Sequence, residues 1–327
     1  MSHQSPSNPL IYLAVERESI RIWKEAGYSP PWTDDPILQQ YKFTNLRRRD
    51  DRVSQWIIKH ALKPYASMPL ERFLVWVAVC RWVNWPDTLQ EIIDGGWVTK
   101  DALNLQAIGG IIDSRVQRGE QAWTGAYMIR PAKPPYVPMS KGRFVAEIVI
   151  GQELMKVLPK VAETVRWNSV QSTCEALTEA NFWGPFMAGQ VAADLTYTKW
   201  LRKADDLYTW APQGPGSRRG FNRILGRPLS ARIPEELWLE HLCQWRHEIT
   251  FKLNALTKYQ TPLYDATVSL MDVQNVLCET DKYLRVKNGE GRPKSRYPGG
   301  PQDGVRTRGV VGRAGRSRAS VGQRSAD

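Results

Sequence analysis

Cysteine is scarce: the four thiols of the 327-residue chain, Cys80, Cys174, Cys243 and Cys278, lie far apart and show no paired spacing. That suits buried, reduced thiols in a cytoplasmic protein better than a disulfide framework. The longest apolar run, around Phe73 to Val79, is too short to span a bilayer, and no secretory signal pattern is visible. A membrane role is therefore not expected. There is no Gly-x4-Gly-Lys-Ser/Thr phosphate loop and no Gly-x-Gly-x-x-Gly fingerprint, which weighs against a nucleotide-driven kinase or a Rossmann enzyme. Alternating strand-like stretches are also few, so an all-α fold is expected.

Tryptophan, by contrast, is abundant. Many of the fourteen sit beside a cation, as in Trp23–Lys24, Arg81–Trp82, Arg166–Trp167 and Trp245–Arg246. Such pairs can stack bases and grip phosphates, although a core position accounts for most of them equally well. The net charge is +12, but eleven Lys/Arg against three Asp/Glu between Arg285 and Asp327 supply eight of those charges. The body is thus only mildly basic, and its basic residues matter by where they cluster.

Residues 1–8 read as a flexible N-terminus. Asn8–Pro9 then predicts a helix start and Gly27 its stop, and Asp35–Pro36 repeats the start signal. A third helix is expected from Asn45 to Leu62, with Val53, Trp56, Ile57 and His60 on one face. "PLERFLVWVAVCRWV" is apolar nearly all round and reads as a central buried helix. Further helices fit 87–94, 100–118, 141–157, 169–179, 185–198, 234–253 and 265–286. The proline-rich stretch 131–142 would separate two lobes or form a long loop within one domain, 9–297. Residues 298–327 read as a disordered basic tail.

Four stretches carry candidate chemistry. In "LTEANFWGPFMAGQVAADLTYT" (177–198) a helix ends, a turn holds Gly184 and Pro185, and a helix rich in small residues begins. This resembles the helix-hairpin-helix of DNA glycosylases, with Phe182 at the first hairpin glycine and Phe186 at the lyase lysine as departures. Asp205 and Asp206 fall at the offset of the glycosylase aspartate. "WAPQGPGSRRGFNR" (210–223) is either an exposed basic loop or one whose amides and guanidinium groups converge on an anion. "YKFTNLRRRDDRVSQW" (41–56) would put Arg48 and Arg52 one helical turn apart, gripping phosphates or forming intrahelical ion pairs. "MDVQNVLCETDKYLRVKNGEGRPKSRY" (271–297) sets polar groups into an apolar helix, where a substrate or a structural network must satisfy them. His241, Cys243 and His247 are spaced wrongly for one helix face, so no metal site is assigned.

Together with "SPPWTDDPILQQ" and "TGAYMI" (124–129), these stretches resemble, in order from Ile11 to Tyr297, the alpha-glutamyl/putrescinyl thymine pyrophosphorylases of bacteriophages. These amino acid:DNA transferases share a helical module with 5-hydroxymethyluracil DNA kinases. The resemblance implies thymine hypermodification, in which an amine displaces pyrophosphate from pyrophosphorylated 5-hydroxymethyluracil in DNA after a partner kinase has acted. The DNA would be double-stranded or locally opened, with the nucleotide flipped out of the duplex or reached on an exposed strand.

On that reading Gly214, Gly216, Ser217, Arg218, Arg219 and Arg223 would bind pyrophosphate. Asp206 would be the first choice of general base or amine orienter and Glu279 the second, with Lys282 assisting the leaving group. Asn45, Arg48, Arg52, Gly184 and Trp210 would contact DNA. No cofactor is certain, and Mg2+ is the one candidate ion, without an assigned ligand set. The rival readings are a DNA glycosylase acting on a modified base and a non-catalytic DNA-binding module that relies on the tail. The amine itself is not legible in the sequence.

Overall fold

The computed structural model describes residues 8–125, 136–257, 267–291, 293 and 296–297; the expectations for 1–7 and the tail 298–327 lie outside them. The described residues are helical, without a β-strand. The first two helices start where capping chemistry requires. Asn8 Oδ1 accepts from Leu10 N before α1 (Pro9–Glu25), and Gly27 follows its end at φ 81°. Asp35 Oδ1 accepts from Ile37 N and Leu38 N before α2 (Pro36–Gln40), while its other oxygen accepts from the Tyr12 and Tyr283 hydroxyls. A proline at the first position of each loses no intrahelical hydrogen bond.

The helix expected over 45–62 is interrupted. Residues Arg48–Asp50 form a single 3-10 turn, and Asp51 is extended at ψ 138°. Only then does α3 (Arg52–Trp56) begin, continuing as a π-helix through Ile57–Leu62. Arg48 and Arg52 therefore do not share a helical face. The expected hydrophobic spacing does hold further on, where the Trp56 and His60 rings stack at 5.1 Å.

The apolar run forms α4 (Leu70–Val83), buried on nearly every side and closed by Asn84 in the left-handed conformation at φ 47°. Around α4 pack the π-helix 57–62, α5 (Pro86–Asp94), α8 (Met155–Arg166), α10 (Pro185–Leu195) and the π-helix Phe144–Leu154 that leads into α8. Arg81 of α4 is buried against Asp194 of α10, with Nε 2.6 Å from Oδ2. A buried pair of this kind is costly to break from one side, because it strands the other charge.

α6 (Leu105–Gln117) and α7 (Lys141–Arg143) flank the proline-rich stretch, of which 131–135 lie outside the described residues, and they pack on each other. A second group gathers on α13 (Leu270–Lys287): α1, α2, α11 (Pro215–Ile224) and α12 (Glu235–Thr257). The α13 group thus draws on both ends of the chain, whereas the α4 group comes from its middle.

Three buried tryptophans settle their indole donors on backbone carbonyls: Trp76 on Ala61, Trp183 on Val149 and Trp238 on Ala211. Among the described residues no helix is long and apolar enough to cross a membrane.

Candidate active site

The two arginine-bearing stretches meet on opposite flanks of α13. On one flank lies α11, so the stretch 210–223 is largely a helix rather than an open loop. Its glycines serve close packing. A Cβ on Gly220 would lie 2.1 Å from Leu277 O, one on Gly216 3.1 Å from Cys278 Sγ, and one on Gly214 3.2 Å from Gln274 Nε2. Ser217 is fully buried; its Oγ accepts from Gly214 N and from Gln274 Nε2. Gly214, Gly216 and Ser217, expected in a pyrophosphate loop, are used by the α11–α13 contact.

The arginines of α11 divide into three situations. Arg223 donates to Asp281 at 3.1 Å and grips both oxygens of Glu290 at 2.8 Å. Arg219 and Arg285 each lie 3.4 Å from the same buried Asp281. Arg218 is exposed and has no partner among the described residues. Three guanidinium groups on one carboxylate make this flank an internal charge network. Trp210, expected to stack on DNA, is buried and donates to Glu235 Oε1.

On the other flank the segment 42–51 lies across α13. Thr44 N donates to Glu279 Oε2 at 3.0 Å, and Asn275 Nδ2 to Thr44 Oγ1 at 3.0 Å. Lys282 Nζ reaches Lys42 O at 2.7 Å and Glu279 Oε2 at 3.0 Å, with the Phe43 ring 4.5 Å away. Arg48 N donates to Asp272 Oδ1. Asn45 is locked by Arg17, Asp50 and Asp51, so it shapes the turn. Of the expected residues, the structure therefore brings Arg48, Asn45, Glu279 and Lys282 together, although some 235 positions separate the two segments. Arg52 stands exposed at the start of α3.

The two candidate bases differ in what their oxygens do. Both oxygens of Asp206 are occupied: Oδ1 accepts from Val170 N, and Oδ2 from Gln171 N and Ser169 Oγ. Asp206 thus caps α9 (Val170–Thr178), satisfying donors that a helix N-terminus leaves open. Glu279 engages only Oε2; its Oε1 has no partner among the described residues. Its neighbours are electrostatically tuned. Burial pushes the Asp51 carboxyl up to about 6, with Glu279 adding to the effect and Asn45 N and Arg48 opposing it. Burial also pushes the Cys278 thiol up to about 12, which keeps it unreactive.

Beside this flank opens a cleft of about 230 Å³ whose lining includes Arg47, Arg49, Tyr197, Arg202, Tyr208 and Asp272. Sequence reasoning singled out neither Arg202 nor the two tyrosines. The alternation of aromatic and basic residues in "YTKWLRKADDLY" was the available signal. Gly184 caps α10, and a Cβ there would meet nothing within 4 Å. Phe182, two residues before it, holds φ 70° and is half exposed.

His241 packs on Phe221 and Trp245, and His247 lies against Arg246. Among the described residues no group of three or more His, Cys, Asp or Glu is placed to hold a metal. Both oxygens of Asp272, the carboxylate of the cleft, are engaged by Arg48 and Ser269. The residues present do not fit an Mg2+ site there.

Comparison with known proteins adds the lineage. A "5-hmdU DNA kinase" of Bacillus phage SP10 is 28% identical over 226 residues, 64% of this chain. The chain spans about a third (34%) of that relative's length. No solved structure matches. Residues 6–292, nearly all the helical body, match the family described as "5-hmdU DNA kinase, helical domain", and the chain belongs to that family.

Proposed function

We propose that this chain is a DNA-modifying transferase that installs an amine on pyrophosphorylated 5-hydroxymethyluracil. The relative's name supports a 5-hydroxymethyluracil substrate in DNA. The observation that carries the chemistry is Glu279, a carboxylate with one unengaged oxygen held between Lys282 and the arginine-bearing segment 42–51. The amine nitrogen forms a bond to the methylene carbon, the carbon–oxygen bond to pyrophosphate breaks, and the surplus amine proton passes to Glu279. General-base assistance of this kind contributes about 10²–10⁴-fold.

Lys282 lies close enough to steady charge on the departing group, and the arginines supply the surrounding positive field. Exposed Arg52, Arg218 and Arg219, together with the hairpin at Gly184, face DNA phosphates. The left-handed Phe182 supports the hairpin reading, since it adopts the backbone conformation for which glycine is the usual choice. The target nucleotide is taken out of the stack to expose its methylene, and a 5-hydroxymethyluracil kinase supplies the activated base.

The test is incubation with DNA carrying pyrophosphorylated 5-hydroxymethyluracil and a panel of amines, followed by nucleoside mass spectrometry. A new amine adduct with release of pyrophosphate is expected. Free modified base and no adduct would replace this reading with a glycosylase.

A further inference from the structure

We infer that the cleft between the end of α10, the turn 198–210 and the start of α13 is a binding site for a small polyphosphate anion, with Arg202 as its principal free cation. The inference deepens the proposed function, on which it rests only for the identity of the anion as the leaving pyrophosphate.

Three features argue for it. The first is charge. Arg47, Arg49 and Arg202 line the cleft with one carboxylate, Asp272. Arg47 is paired with Glu18 and Asp50, and Arg49 lies 3.8 Å from Asp50, so Arg202 carries the uncompensated charge. Asp272 is already engaged: Oδ1 accepts from Arg48 N at 3.1 Å, and Oδ2 from Ser269 N at 3.0 Å and Ser269 Oγ at 2.7 Å. Arg202 is exposed and makes no ion pair among the described residues. A guanidinium fork is suited to two phosphoryl oxygens at once.

The second is the donor set. Tyr197 lines the cleft, and its hydroxyl has no partner among the described residues. Burial, with Asp272 adding to it, raises the pKa of this phenol far above neutrality, so the hydroxyl remains a donor.

The third is construction. The turn bearing Arg202 and Tyr208 is tied to α13 by Leu270 N donating to Leu207 O at 3.2 Å. The Tyr208 ring is backed by the Arg246 guanidinium at 5.1 Å. The 230 Å³ volume lies below the roughly 300 Å³ at which pockets for drug-sized ligands begin, so two linked phosphoryl groups fit the scale better than a whole nucleotide.

Phosphoryl oxygens also occur on the DNA backbone, so the experiment has two arms. Calorimetric titration of the full chain with inorganic pyrophosphate is compared with binding of an unmodified DNA duplex, each for wild type and Arg202→Ala. Arg202 is exposed, and a melting curve checks that the variant stays folded. The expected result is a loss of pyrophosphate affinity of at least about tenfold, the scale of one charge-assisted hydrogen bond, with duplex affinity changed about threefold or less. Arg202→Lys should fall between wild type and alanine. Pyrophosphate affinity unchanged by Arg202→Ala would overturn the site. An equal loss in both arms would overturn its assignment to the leaving group in favour of the DNA backbone. Neither arm requires turnover, so failure of amine transfer leaves this inference standing, and failure here leaves the transfer assay to be judged by itself.

Discussion

α13 presents two basic neighbourhoods of opposite character. On the α11 flank Arg219 and Arg223 converge on Asp281 and Glu290, glycines bring two backbones together, and Gln274 donates to Ser217 in a buried interface. On the 42–51 flank Arg47 is paired with Glu18 and Asp50, and Lys282 with Glu279, but the contacts to α13 stop short of saturation. Glu279 keeps an oxygen without a partner among the described residues, and a cleft with an unpaired arginine opens alongside. Three arginines in each stretch thus accompany a closed network around Asp281 on one side and a half-engaged Glu279 on the other. What separates them is the carboxylate on α13: Asp281 is surrounded by three guanidinium groups, whereas Glu279 keeps one oxygen unengaged among the described residues.

The comparison breaks most easily on the packed flank. Gly220→Ala would force a methyl group against Leu277 O, a backbone atom that cannot swing aside. Despite the better helix propensity of alanine, a loss of about 3 kcal/mol is expected in urea unfolding. Gly184→Ala is the control: its Cβ meets nothing, and a change of about 0.5 kcal/mol or less should follow. Similar losses at both positions would contradict the packing role assigned to the α11 glycines.

A smaller effect sharpens the other flank. Asp51 has a folded-state pKa of about 6, raised above its ordinary value of 3.8 by burial. The folded state holds the proton more tightly, so this group's contribution to stability is fully present below the unfolded value. It is lost as pH rises through the folded one. Asp51→Asn keeps an oxygen to accept from Asn45 N and removes the titration. Melting temperatures measured between about pH 4 and pH 7 should fall less steeply in the variant, and parallel curves would contradict a buried, proton-retaining Asp51.

These contrasts also mark what was legible in sequence. The starts of α1 and α2, the burial of α4 and the all-helical class were readable, because caps and hydrophobic periodicity are local signals. The interruption at Asp51 was not, since the extended backbone there accompanies contacts with distant α13. Nor could the glycines of 214–220 be assigned. Absence of a Cβ serves close approach to an anion and to another helix equally, and the helix they meet, at Gln274, Leu277 and Cys278, lies more than fifty residues away. Asp206 was chosen by its offset from the hairpin, and offset carries no information about occupied oxygens. Glu279 was the second choice for the same reason, its partner Thr44 being 235 residues distant.

The most direct measurement is the single-turnover rate of amine transfer for Glu279→Gln and Asp281→Asn, each against wild type on pyrophosphorylated 5-hydroxymethyluracil DNA. Glutamine can still accept from Thr44 N, so the fold is preserved while the base is removed. The account predicts a fall of about 100-fold or more for Glu279→Gln. For Asp281→Asn it predicts a change of less than about fivefold, alongside a drop in melting temperature. A Glu279→Gln enzyme at wild-type rate, with Asp281→Asn inactive though folded, would move the chemistry to the α11 flank and contradict it.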